Sequence, residues 1–177
     1  MTREASPPSG GLAAARDALR EKPDGVLETV AEAHGLTIAE VLGLLDEDRA
    51  RRIPGRHFEA VWAELTDWGP VLFLVHGRNG VFEIRTALPP GTSARGWFNI
   101  HGDTPLGGHL RADRCHAIWF VDRPFFGRRS CSIWFVDGDG EAMFKVLVAG
   151  DEARELDAGQ VTRFEALRSA MTERVAV

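Results

Sequence analysis

Residues 69–87 read Gly69-Pro70-Val71-Leu72-Phe73-Leu74-Val75-His76-Gly77-Arg78-Asn79-Gly80-Val81-Phe82-Glu83-Ile84-Arg85-Thr86-Ala87, and this stretch decides the fold class. Successive side chains of a strand point to opposite faces, so Val71, Phe73 and Val75 take one face and Leu72, Leu74 and His76 the other. Asn79-Gly80 predicts a tight hairpin turn, because both residues tolerate the positive φ of a primed turn. Residues 81–88 then run back, and Pro89-Pro90-Gly91 closes the unit. Downstream, further strands are expected at 96–100, 108–111, 115–121, 130–136 and 142–149, the last two joined by the turn Asp137-Gly138-Asp139-Gly140.

On either side the period changes from two to that of a helix. Upstream, residues 12–21 are rich in Ala, Leu and Arg and stop before Pro23. Asp24 is a candidate cap for a helix carrying Val26, Leu27, Val30 and Ala31, which ends at His34-Gly35. Thr37 and Glu40 form a capping box that opens a short helix through Leu44 or Leu45. Phe58, Val61, Trp62 and Leu65 mark another helical face, and residues 157–171 repeat the pattern through Val161, Phe164, Leu167 and Met171. The expected architecture is α+β in one domain: N-terminal helices, an antiparallel β-sheet meander and a C-terminal helix. A disordered tail is expected over 1–11, helices over 12–68, the sheet over 69–150 and the last helix within 151–177.

Composition narrows the function. The chain has 177 residues, is 44% hydrophobic and 27% charged, and carries a net charge of −5. Residues 27–45 have the outline of a helix-turn-helix, yet between Asp24 and Asp48 every Asp/Glu/Lys/Arg residue is acidic. Such a surface repels a phosphate backbone, so nucleic-acid binding is not expected. No GxSxG elbow, phosphate loop or CxxC pair is present. Cys115 and Cys131 read as reduced and buried. With no secretory signal and no apolar run long enough to span a bilayer, the expected location is cytoplasmic, without membrane insertion.

Six histidines carry more information. His34 ends a helix, His57 begins one and is expected to be exposed, and His101 and His116 suit either surface or packing roles. His76 ends a strand directly before a turn. His109 follows Gly107-Gly108, whose small size leaves its surroundings open. No His/Cys cluster has zinc spacing. Five Trp and ten Phe occur without a single Tyr, so aromatic faces are plentiful and a tyrosinate ligand is impossible.

An ordered series of segments carries a family resemblance. It runs Trp68-Gly69, Leu74-Val75-His76, Leu88-Pro89-Pro90-Gly91, Gly96-Trp97-Phe98-Asn99, Gly107-Gly108-His109-Leu110, Asp122-Arg123-Pro124-Phe125-Phe126-Gly127 and Gly140-Glu141-Ala142-Met143-Phe144-Lys145-Val146. Together with Lys22-Pro23-Asp24-Gly25-Val26-Leu27-Glu28 it covers about residues 18–171 and resembles the bacterial cytosolic haem-carrier family of haem utilisation (HutX/ChuX-like). The resemblance implies a homodimer that takes up haem in the cytoplasm and passes it to a haem-degrading partner, with His76 and His109 as the haem-binding, iron-facing residues. Haem is an apolar disc with an imidazole-accepting iron and two propionates. Trp97, Phe98, Trp119 and Trp134 are candidates to cover the disc, and Arg111, Arg123 and Lys145 to meet the propionates. The alternatives are a haem-degrading enzyme of related fold, or a fold relative that binds another planar or anionic ligand.

Overall fold

Strands β7 (Cys115–Phe125) and β8 (Arg128–Asp137) form the longest hairpin and the centre of the molecule. The computed structural model describes residues 9–150 and 155–175. Phe126 and Gly127, with φ of 47° and 76°, make the two-residue primed turn between these strands. Strand β9 (Ala142–Leu147) pairs with β8, and the hairpin of β2 (Pro70–Gly77) and β3 (Gly80–Ala87) adds to β9 through β2. On the other side β1 (Ala50–Pro54) pairs with β7, giving the antiparallel order β1-β7-β8-β9-β2-β3. A separate three-stranded sheet consists of β4 (Gly91–Ala94), β5 (Trp97–Ile100) and β6 (Gly108–Leu110).

The two faces of the large sheet bury different cores. On one face Ala117, Trp119, Val121, Trp134 and Val136 pack beneath α1 (Ser9–Glu21), α2 (Leu27–His34) and α3 (Ile38–Leu42). On the other, Ile118, Phe120, Ile133, Phe135, Phe144 and Val146 meet α4 (Phe58–Leu65) and α5 (Ala158–Val175). Phe98 and Ile100 from the small sheet join this second core, and Phe58 and Trp62 lie edge-on to Phe98. Each such fully buried large apolar side chain contributes about 1.5–3 kcal/mol. Gln160 ties α5 down: its amide donates to the carbonyls of Trp68 and Pro70 and its oxygen accepts from the amide of Ala149.

The α+β class, the N-terminal helices and the C-terminal helix are as expected, but the β-structure is two sheets rather than one meander. Two strands lie where none was expected: β1, inside the stretch read as helical, and β4, directly after the two prolines. The β2–β3 hairpin forms at the expected place, yet its turn residues Arg78 and Asn79 do not have positive φ, and Gly80 already belongs to β3. Asp24 does not cap α2; Val26 holds that position, and Asp24 instead offers its carbonyl to the amide of Phe126. The Thr37–Glu40 capping box is formed in full, although its helix closes at Leu42. Residues 9–11 of the expected tail are helical, and residues 1–8 lie outside the described residues. Among the described residues, no helix is long and apolar enough to cross a membrane.

Candidate functional site

Strand alternation places Phe98 and Ile100 inward and leaves Trp97 and Asn99 on the outer face of the small sheet. The antiparallel register sets His109 of β6 opposite Asn99, and Thr92 of β4 on its other flank. These residues, with Ala94, Arg95 and His101, line an open hollow of about 540 Å³. That volume falls within the roughly 300–1,000 Å³ of small-molecule sites. Arg95 and Gly96 form the turn between β4 and β5 with φ of 56° and 79°. The primed turn thus sits at the rim of the hollow, on an arginine, where the left-handed conformation costs about 1–2 kcal/mol.

The protonation pattern of His109 follows from its neighbour. The Asn99 side-chain amide donates to the carbonyls of Thr92 (3.1 Å), Ala94 (3.4 Å) and Trp97 (3.1 Å), which fixes its nitrogen on that side. Its oxygen therefore faces His109 Nδ1, at 2.7 Å, and only accepts. His109 therefore donates from Nδ1, and Nε2 has no hydrogen-bond partner among the described residues. An imidazole held in this way is prepared to ligate a metal centre. Trp97, 44% exposed, stands edge-on to the imidazole with ring centroids 6.3 Å apart.

His76 lies on the opposite side of the large sheet, at the end of β2 on the Leu72/Leu74 face. Its Nδ1 is 3.1 Å from Glu28 Oε1 in the first turn of α2. This is an ion-pair contact rather than an aligned hydrogen bond, and it sets a carboxylate against the Nδ1 edge of the ring. One chain therefore does not bring His76 and His109 together; it displays each alone, on separate faces.

The three expected cations have unequal access. Arg111 stacks over Trp97, 5.4 Å from the ring centroid, and is clamped by Asp113 at 2.8 and 2.6 Å. Arg123 is 6% exposed and gives its Nη2 to the carbonyls of Pro23 and Gly25, at 2.7 and 2.8 Å. Lys145 is buried above Trp134, 3.9 Å from its ring centroid, and donates to Glu28. Desolvation pulls the Lys145 ammonium and the Arg123 guanidinium below their ordinary values. Both serve the packing of α2 and its preceding loop rather than an open surface. Of the four expected aromatics, Phe98, Trp119 and Trp134 are buried, which leaves Trp97 as the one facing solvent. His57, expected to be exposed, is half-buried with an unpartnered Nε2, and burial lowers its pKa.

Arg95, His101, Asn99 and Glu28 were not among the expected site residues. Asn99 was legible as the outward neighbour of Trp97 two positions away. Glu28 carries no local signal, because its partners lie on distant strands.

Residues 51–167 match the family model described as haem utilisation ChuX/HutX. The chain is 32% identical to the intracellular heme transport protein HutX of Vibrio cholerae over 151 residues, 85% of this chain and 78% of that protein. It is similar to a crystal structure of a protein from Agrobacterium tumefaciens (44% identity, TM-score 0.83, covering 94% and 99% of the two chains). It is also similar to the crystal structure of ChuX (34% identity, TM-score 0.84, covering 90% and 98%). A more distant likeness, to the heme degrading enzyme ChuS of Escherichia coli O157:H7, is one of fold alone (16% identity, TM-score 0.71, over 49% of that chain).

Proposed function

Because the chain belongs to the haem utilisation ChuX/HutX family, we propose that it is an intracellular haem carrier that holds haem through an imidazole and releases it to a haem-degrading partner. The observation that carries this reading is His109: Asn99 holds its Nδ1, and the imidazole lines a hollow walled by the exposed ring of Trp97. Arg95 lines the same hollow and is the cation best placed for a propionate, with His101 beside it. His76 is the second ligand of the proposal, on its own face. Sites this open favour exchange over sequestration, which suits a carrier.

A cytoplasmic homodimer completes the proposal. Strand β3 is an edge of the large sheet, and it exposes Val81 and Phe82 by 48% and 73%. An apolar edge of that kind is normally covered. The carrier reading is tested by loading the protein with haemin and adding apomyoglobin, ascorbate and catalase. The expected result is full recovery of the porphyrin as holomyoglobin. Loss of the Soret band with growth of a bilin absorbance would instead assign the protein to the haem-degrading alternative.

A further inference from the structure

A single row of residues crosses all six strands of the large sheet on the face covered by α1, α2 and α3: Arg52, Trp119, Trp134, Lys145, Leu74 and Glu83. Lys145 is the charged residue at its buried centre, with 8% of its side chain exposed. A buried ammonium requires a counter-charge, and α2 supplies it from above in Glu28, whose side chain is 20% exposed. Burying the ammonium needs no histidine. Yet the same oxygen, Oε1, that accepts from Lys145 lies 3.1 Å from His76 Nδ1. Trp134, Lys145, Glu28 and His76 thus form one chain of contacts from the sheet interior to an imidazole that is 28% exposed.

We propose that Glu28 is the positioning residue of His76: anchored by Lys145, its carboxylate fixes the Nδ1–H tautomer, turns Nε2 outward and strengthens it as a donor to ferric haem iron. This inference rests on the haem-carrier reading. A carboxylate behind a ligating imidazole raises its basicity and orients the ring, and stronger donation favours the ferric over the ferrous state. The site at His109 has only a neutral amide in that position, so the two imidazoles differ in donor strength. His76 is the ferric-selective one.

The test uses the full chain in a His109→Ala background, so that His76 is the imidazole being read. Two double variants keep the charge balance of the buried pair: Glu28→Leu/Lys145→Met removes the acceptor, and Glu28→Gln/Lys145→Met keeps an acceptor without charge. Nitrogen-15 NMR of the haem-free proteins is expected to show a fixed Nδ1–H tautomer in the parent and the Gln variant, and a tautomer mixture in the Leu variant. With haemin bound, both variants should lose about 10–100-fold in ferric affinity. A tenfold loss confined to the ferric state raises the midpoint potential by about 59 mV. Unchanged tautomer and unchanged potential would reduce Glu28 to a counter-ion of Lys145 and overturn the proposal, with haem binding intact. Absence of saturable haemin binding in the parent, while wild type binds, would remove His76 as a ligand. Absence in wild type as well would remove the carrier reading itself.

Discussion

Replacing Asn99 by Ala separates the role of this side chain in the fold from its role in binding. The substitution deletes three donated hydrogen bonds, to the carbonyls of Thr92, Ala94 and Trp97, and the acceptor that orients His109. Neutral hydrogen bonds contribute about 0.5–1.5 kcal/mol each when well shielded. These lie on an outer sheet face where water replaces them in part, so about 1–2 kcal/mol is expected in total, or roughly 2–8 °C in melting temperature. Loss of a group that orients a metal ligand costs about 10–100-fold in affinity. Asn99→Asp is the control: it keeps an acceptor for His109 Nδ1–H but sacrifices every donated bond to the three carbonyls. Asn99→Asp should therefore melt at least as low as Asn99→Ala and yet bind haemin more tightly. Thermal melts and haemin titrations on the same samples give both quantities. If affinity simply follows stability across the two variants, Asn99 is a structural residue and the orientation argument fails.

Three further outcomes are expected. Arg95→Asn places a residue that tolerates the left-handed turn at φ 56°; stability should rise by up to about 1 kcal/mol while haemin affinity falls, and a parallel rise in both would exclude Arg95 from the site. Burial pushes the thiols of Cys115 and Cys131 up to about 12, so the folded protein should resist dithionitrobenzoate at pH 8 and release both thiols in urea; rapid reaction without urea would contradict their burial. Hydrogen bonds from Arg129 hold the Asp122 carboxyl below the usual carboxylate range, against the opposing effect of desolvation. Its contribution is therefore present in full above the unfolded value of about 4 and lost as pH falls through the folded one. The stability gap between wild type and Asp122→Asn should accordingly be constant near neutrality and close below pH ~4, as denaturant titrations at a series of pH values will read.

The legible parts of the fold were those where local chemistry and tertiary packing agree. Alternation through Val71, Phe73 and Val75, the Thr37–Glu40 box and the helical face of Phe58, Trp62 and Leu65 all hold. Strand β1 was missed because it buries Ala50 and Ile53 with two exposed arginines between them, which breaks the period of two. Strand β4 was missed because Gly91-Thr92-Ser93-Ala94 buries almost nothing and forms only by pairing with β5. Primed turns, expected at Asn79-Gly80, occur instead at Arg95-Gly96 and Phe126-Gly127, where strand pairing imposes positive φ on Arg95 and Phe126, which disfavour it, beside glycines that accept it. The proposed site offered its histidines as candidates in the sequence, because their side-chain chemistry is rare enough to single out. Its cations were not: Arg123 and Lys145 look like anion receptors in the sequence, and only long-range contacts with the α2 region reveal them as internal supports. Glu28 was invisible for the same reason.

The most direct measurement is a haemin titration, followed by absorbance, of wild type, His76→Ala, His109→Ala and the double variant. Saturable binding is expected in wild type, with a different residual Soret spectrum in each single variant and loss of specific binding when both imidazoles are gone. An unchanged titration in the double variant would show that haem, if carried, is held by neither histidine, and would contradict the site on which the account depends.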